Sequence, residues 1–312
     1  MKSVIKFFKQ INRIFMKQNI WTKTAISMGI ILIILIIVNR SAPCNQEGFT
    51  QREKFVLKEG NAIYDDFYCS IYDDLVFDTT KNKFELDELK YISKLSKESN
   101  VLDVGSGRGH HVKYFKDIGA KSIGIDKSKA MVKLSNKKYP MCKYKHGDVL
   151  DSMHFQQNQF THILSLYFTT YYLEDKYKFF QNAFKWLKPG GYLVLHLVNR
   201  NKFDPIINTS NPVHMVSVQK YAPKRITNSV VKFNDFTYKA NFKLKDDKGT
   251  FSETFKDDGT NNVRKNEHVL YMEPQKDILA KAKKAGFIFH GKSDMVNCMY
   301  EYQYLYYLIK PE

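Results

Sequence analysis

Cysteine is scarce and scattered. Cys44, Cys69, Cys142 and Cys298 include no C-x-x-C pair, so neither a structural zinc site nor a redox dithiol is expected, and no metal centre is assigned. Acid is absent from the first 40 residues, which carry Lys2, Lys6, Lys9, Arg13, Lys17, Lys23 and Arg40. The whole chain of 312 residues has a formal net charge of +17, a balance that raises the question of a nucleic-acid surface. No arginine-rich cluster accompanies it, and Lys, Asn, Ile and Tyr are abundant everywhere. A biased genome composition produces the same excess, so nucleic acid is not an expected partner. Internal repeats and low-complexity tracts are also lacking. The length suits one large domain or two small ones, with ample core and no need of staples.

Long apolar runs are missing except for one. WTKTAISMGIILIILIIV, Trp21 to Val38, contains a single charge, Lys23. It is about as short as a helix crossing a 30 Å hydrocarbon core can be. Lys23 can snorkel and Trp21 sits where an interfacial aromatic belongs. No A-x-A cleavage site follows, and the region before it is too long for a signal peptide. The expectation is an uncleaved transmembrane helix at 21–38, a single-pass membrane protein whose N-terminal helix has the lipid bilayer as its partner. Residues 1–20 place Val4, Phe7, Phe8, Ile11, Ile14 and Phe15 at helical spacing among lysines, a basic amphipathic segment suited to a membrane surface. A mitochondrial presequence has a related pattern but is richer in Ser and Arg. Residues 39–60 read as a polar linker. The positive-inside rule puts the N-terminus in the cytosol, whereas a cytosolic cofactor argues for the reverse, so orientation and compartment stay open.

From residue 61 strand and helix patterns alternate. NVLDVG, KSIGID, CKYKHGD, FTHILSLY and YLVLHLV read as strands, separated by amphipathic helices. That order argues for an α/β fold, a doubly wound and mostly parallel sheet. Residues 200–270 read as an antiparallel β insertion with DDKG and DDG turns. FIFHGK and YEYQYLYYLIK then add two strands, giving a seven-stranded sheet within a domain spanning 61–312.

Gly105, Gly107 and Gly109 follow the first of these strands and open a helix. Glycine lets backbone and ligand touch, and the helix N-terminus suits an anion. A dinucleotide fingerprint would need glycine at 110, where His110 stands, so a nicotinamide-dependent oxidoreductase is disfavoured. The G-x-G-x-G spacing with Asp103 before it resembles motif I of the class I S-adenosylmethionine-dependent methyltransferases. Asp126 in GIDKS, Asp148 in KHGDV and the turn WLKPGGYLVL follow in that family's order. The resemblance covers roughly residues 60–200, and it implies a Rossmann-like methyltransferase fold with S-adenosyl-L-methionine as cofactor. It implies that Asp126 accepts from the ribose hydroxyls, Asp148 from the adenine amine, and Val149 covers the ring. The implied cofactor set is Asp103, Gly105, Ser106, Gly107, Gly109, Asp126, Lys127, Asp148, Val149, Leu166 and Tyr72. Two departures stand out. Thr161 occupies a position where the family usually has an acid, and no N-P-P-Y motif follows strand four.

Methyl transfer needs a base only if the acceptor arrives protonated. His196, Tyr167, His110 and His111 are the catalytic candidates, and the methyl acceptor, whether small molecule, lipid or protein, is not named by these motifs. A non-catalytic binding module on the same fold is the alternative. Tyr64, Tyr68 and Tyr72 share one helix face, either as core or as a lid over the cofactor.

Overall fold

The computed structural model describes residues 15–41, 51, 53–206, 219, 222–233 and 235–312. Two units are distinguished, Met1–Gln46 and Glu47–Glu312. In the first, helix α1 (Ile20–Ser41) includes the expected Trp21–Val38 span. Among the described residues no helix is long and apolar enough to cross a membrane. The side chains of residues 32–41, the most apolar part of that stretch, lie outside the described residues, as does most of the amphipathic segment 1–20.

The second unit begins with β1 (Phe55–Glu59), α2 (Asp66–Val76), α3 (Thr79–Ser93) and β2 (Asn100–Val104). Then come α4 (His110–Asp117), β3 (Lys121–Asp126), α5 (Lys129–Lys138), β4 (Tyr144–His146), β5 (Phe160–Ser165), α6 (Thr169–Tyr172) and α7 (Lys176–Trp186). The chain continues through β6 (Leu187–Val198), β7 (Asn228–Lys232), β8 (Phe236–Lys245), β9 (Lys248–Asp257) and β10 (Val263–Tyr271). It ends with α8 (Gln275–Lys284), β11 (Ile288–Asp294) and β12 (Gln303–Ile309).

Seven strands form the main sheet in the order β11-β12-β6-β5-β2-β3-β4. The pairs joining β2 to β6 are parallel, and β12 runs antiparallel to both neighbours. Successive residues alternate between two buried faces: Val101, Leu164 and Val194 fill one, Leu102, Ile163 and Leu193 the other. Side chains on a strand point to opposite faces in turn, so a strand buried on both sides is mostly apolar, and the polar exceptions here include Asp103, His162 and His196. Each fully buried Leu, Ile or Phe contributes about 1.5–3 kcal/mol.

Two readings of the sequence need correction, and a third position gains a structural account. The stretch 39–60 is not all linker, because β1 pairs in parallel with β10 from the insertion. The Pro189-Gly190-Gly191 turn lies inside β6, where the register with β5 jumps between the Phe160–Leu187 and His162–Tyr192 pairs. Thr161 is a staple remote from the ligand-binding strand ends: its hydroxyl accepts from the Asn100 N–H at 2.9 Å at the start of β2.

The insertion builds a second sheet in the order β1-β10-β9-β8-β7. Helix α2 lays Tyr68, Ile71 and Leu75 on it, against Phe236, Tyr238 and Phe255. Arg264 on β10 secures that contact. Its guanidinium reaches both oxygens of Asp65, at 2.9 and 2.8 Å, and donates to the Ile63 carbonyl at 2.8 Å. Asp65 in turn caps α2 by accepting from the Tyr68 N–H. Removing one partner of a buried pair strands the other. Because Asp65 keeps about a third of its side chain exposed, Arg264→Ala is expected to cost about 2–4 kcal/mol, read by urea denaturation. A loss below about 1 kcal/mol would place the pair among ordinary surface bridges.

Candidate active site

The carboxyl ends of β2, β3 and β4 converge on one cavity of about 610 Å³. Loop Gly105–Gly109 lies across them, held by backbone bonds. Gly105 and Ser106 N–H groups donate to the Ile125 carbonyl at 2.8 and 3.2 Å. The Gly107 N–H donates to Asp126 Oδ2 at 2.9 Å, and Ser135 Oγ donates to the Gly107 carbonyl at 2.6 Å. Asp126 Oδ1 accepts from the Ser128 N–H at 2.8 Å. Burial raises the Asp126 carboxyl above its ordinary range, and the two N–H donors oppose that.

The three glycines do different work. All have positive φ, +67° at Gly105, +49° at Gly107 and +80° at Gly109, a region where side chains are strained. A Cβ on Gly105 would strike the Thr169 side chain at 2.6 Å. A Cβ on Gly109 would collide with the Tyr144 ring. Only at Gly107 does that space open, with Tyr72 Cε1 3.9 Å away. Gly109 therefore does not line the cavity, contrary to the reading of the sequence, and serves close packing at the start of α4.

Asp103, Gly105, Ser106, Gly107, Asp126, Lys127, Asp148, Val149, Leu166, Tyr167 and Tyr72 all line the cavity. Asp103 is 3% exposed, and among the described residues no hydrogen bond reaches its carboxylate. Burial pushes its pKa up to about 6. Asp148 shows the reverse balance: burial raises it, but Lys127 Nζ at 2.8 Å and the Leu150 N–H at 3.0 Å outweigh burial and lower it. Tyr167 stands just after β5 with φ +52°, an uncommon conformation for a bulky residue and one that collects at functional sites.

His196 is not brought to the cavity. It is fully buried on β6, its Nε2 3.0 Å from Gln303 Oε1, and Gln303 takes the lining position. Burial depresses its pKa to about 4, and Nδ1 has no hydrogen-bond partner. His110 and His111 line the cavity but are engaged. His110 Nε2 is 3.0 Å from Asp73 and its ring stacks on Phe77, while His111 Nε2 is 3.1 Å from Glu85 Oε2. Glu85 is buried and also meets Lys81 Nζ at 3.0 Å. Burial opposes ionisation of Glu85, but Lys81 and His111 hold its pKa down to about 2.

Tyr64, Tyr68 and Tyr72 prove to be both core and wall. They pack on the insertion sheet and line the cavity, with ring centroids 5.6–6.3 Å apart. Sequence reasoning missed a cluster opposite the glycine loop. Tyr172 Oη is 2.8 Å from His268 Nδ1, and His268 Nε2 is 2.8 Å from Glu253 Oε2. These residues come from α6, β10 and β9, so no spacing in the chain announces them.

Residues 102–195 match the family model for a methyltransferase domain. Phosphoethanolamine N-methyltransferase of Plasmodium falciparum is 34% identical over 110 residues, 33% of this chain and 40% of that enzyme. The chain thus spans well under half the length of this curated relative. A S-adenosylmethionine-dependent methyltransferase from Clostridium acetobutylicum superposes with a TM-score of 0.59 at 16% identity, covering 78% of this chain and 98% of that one. An amino pentose methyltransferase from Micromonospora echinaspora, solved with S-adenosylmethionine bound, gives 0.54 at 15% identity over 80% and 99%. The fold is shared with these solved methyltransferases, and residues 102–195 are similar to the methyltransferase-domain family.

The cradle fits that cofactor, with open space at Gly107, a two-oxygen acceptor at Asp126 and an unpaired carboxylate at Asp103 for an ammonium group. Asp103 must be ionised to pair with a cation. Its pKa of about 6 predicts that S-adenosylmethionine binds about tenfold more weakly at pH 5 than at pH 7. Calorimetric titration at both values checks this, and Asp103→Asn should flatten the dependence. An unchanged dependence in that variant would assign the titration to another group.

Proposed function

We propose that this protein is a membrane-anchored methyltransferase that passes a methyl group from S-adenosylmethionine to a small acceptor. One observation carries the reading: Asp103, the Gly107 face, Asp126 and Asp148 line the same cavity that reaches the insertion sheet, so cofactor and acceptor share one enclosure. When bound, the cofactor supplies a methyl already activated on a cationic sulfur. Asp126 would hold the ribose hydroxyls, being acceptor-only with two oxygens. Asp148 and Val149 would receive the adenine, and Leu166 and Tyr167 would border the methyl. Catalysis by such a site is largely orientation and exclusion of water.

The N-terminal helix supports the anchoring part of the reading through the apolarity of Trp21–Val38 and the lack of acid before it. Resistance of the full chain to carbonate extraction is the expected outcome. Release of intact protein into the supernatant would remove the anchor and leave the chemistry untouched.

For the cofactor, S-adenosylmethionine and its demethylated product should each raise the melting temperature of the full chain in detergent. Asp126→Ala should weaken binding by about 1.5–3 kcal/mol, the range for hydrogen bonds to a charged group. Gly105→Val should abolish it by driving Thr169 away from the loop. Full affinity in a folded Asp126→Ala protein would take the ribose role from that residue.

A further inference from the structure

The wall of the cavity opposite the glycine loop is built for a different task from cofactor binding. Glu253 is 1% exposed and its carboxylate is saturated: Tyr238 Oη donates at 2.8 Å, Asn266 Nδ2 at 3.3 Å, and His268 Nε2 lies at 2.8 Å. A carboxylate only accepts, so the proton between them sits on His268 Nε2. With the imidazole neutral, Nδ1 carries the lone pair and accepts the Tyr172 O–H at 2.8 Å. The Tyr172 oxygen then acts as acceptor toward the Tyr64 hydroxyl, a place an entering ammonium can take, on a residue that lines the cavity and keeps 38% exposure. The order acceptor oxygen, imidazole, buried carboxylate follows the logic by which a histidine and an acid activate a hydroxyl.

Aromatic rings connect this chain to the cofactor loop without a break. Tyr72 is 3.9 Å from the position of a Cβ on Gly107. The Tyr64 ring lies 6.3 Å from Tyr72, 6.2 Å from Tyr172 and 6.0 Å from His268, centroid to centroid. Helix α6 spans the same gap, touching Gly105 through Thr169 and carrying Tyr172 at its end. Charge points the same way. In a chain of net charge +17, the cavity is lined by eight Asp and Glu residues against three Lys and Arg. Electron-rich ring faces within an acidic enclosure favour a cation.

We propose, on the premise that the cavity performs methyl transfer, that this wall is an amine-acceptor site in which Tyr172 is catalytic and His268 and Glu253 are its positioning residues. The acceptor enters as an ammonium among Tyr64, Tyr68, Tyr72 and Tyr172. Its nitrogen gives one proton to the Tyr172 oxygen while the Tyr172 proton passes to His268 Nδ1, leaving a neutral amine and an imidazolium paired with Glu253. The freed lone pair forms the C–N bond as the C–S bond breaks, and that bonding pair stays on sulfur as a neutral thioether. The product leaves as a methylammonium, and the proton on His268 returns through Tyr172 to water.

The test uses the full chain in detergent with methyl-labelled S-adenosylmethionine. Ethanolamine and glucosamine serve as amine probes, ethylene glycol, glucose and catechol as hydroxyl probes. Label is expected on nitrogen of at least one amine and on none of the hydroxyl compounds. Tyr172→Phe and His268→Gln should each lower kcat at least about 100-fold, the scale of a general base, with cofactor affinity unchanged. O-methylhydroxylamine, which arrives unprotonated at pH 7, should recover Tyr172→Phe to within about tenfold of the unmodified protein, a recovery that a merely structural role would not give. A parallel titration of tetramethylammonium into the S-adenosylhomocysteine complex should show binding that Tyr64→Leu weakens. Transfer to hydroxyl oxygen, variants at the unmodified rate, or cofactor binding with neither amine methylation nor tetramethylammonium binding would each overturn the proposal. Loss of cofactor binding itself would instead overturn the methyltransferase premise.

Discussion

The hydrogen bond from the Gly107 N–H to Asp126 Oδ2 is the constraint on which the site depends. It joins a loop that follows β2 to the last residue of β3, so the glycine turn keeps its shape only while both strands stay in register. Asp103 and Gly124 are partners in that register. Gly124 has its own reason to be small, because a Cβ there would strike Ser106 Oγ at 2.5 Å. Ser135 holds the other side of the loop from α5. The glycine-loop cradle is thus a consequence of the parallel pairing of β2 with β3, inside the sheet and next to its edge strand β4.

Around that centre the insertion sheet supplies a second wall. Its attachment is not a simple loop excursion, because β1 enters from before the domain and pairs with β10. The Arg264–Asp65 pair then ties α2 to the same strand. Segment 60–77 is therefore fastened to the insertion by β1 just before it and by Asp65 near its start, and its tyrosines line the cavity as part of that structure. A closing motion of this segment would have to carry the second sheet with it or break the half-buried Arg264–Asp65 pair.

Much of the glycine-loop side of the cavity was legible in the sequence because its residues sit at strand ends, and strand ends are local features. Asp103 and Asp126 each follow apolar residues that a parallel sheet must bury, and Asp148 follows the short polar edge strand β4. What escaped was set by partners distant in the chain. That Gly109 packs on Tyr144 and Gly105 on Thr169 requires knowing which helix crosses which loop. His196 had the right residue type on the right strand, yet it is buried against Gln303 of β12, and Gln303 takes the lining position. β1 was hidden because Phe55, Leu57 and Glu59 point outward and give an edge strand the look of a linker. Glu253, His268 and Tyr172 were invisible for the same reason: register between two hairpin strands and the placement of a four-residue helix brought them together.

The most direct test of this account is a crystal structure of the protein with S-adenosylhomocysteine. The expected result is the ribose hydroxyls on Asp126, the amino acid end at Asp103 and the glycine loop, and the sulfur facing the tyrosine-lined wall that holds Tyr172. A ligand bound elsewhere, or one whose sulfur points away from that wall while Asp126 keeps only its backbone donors, would contradict it.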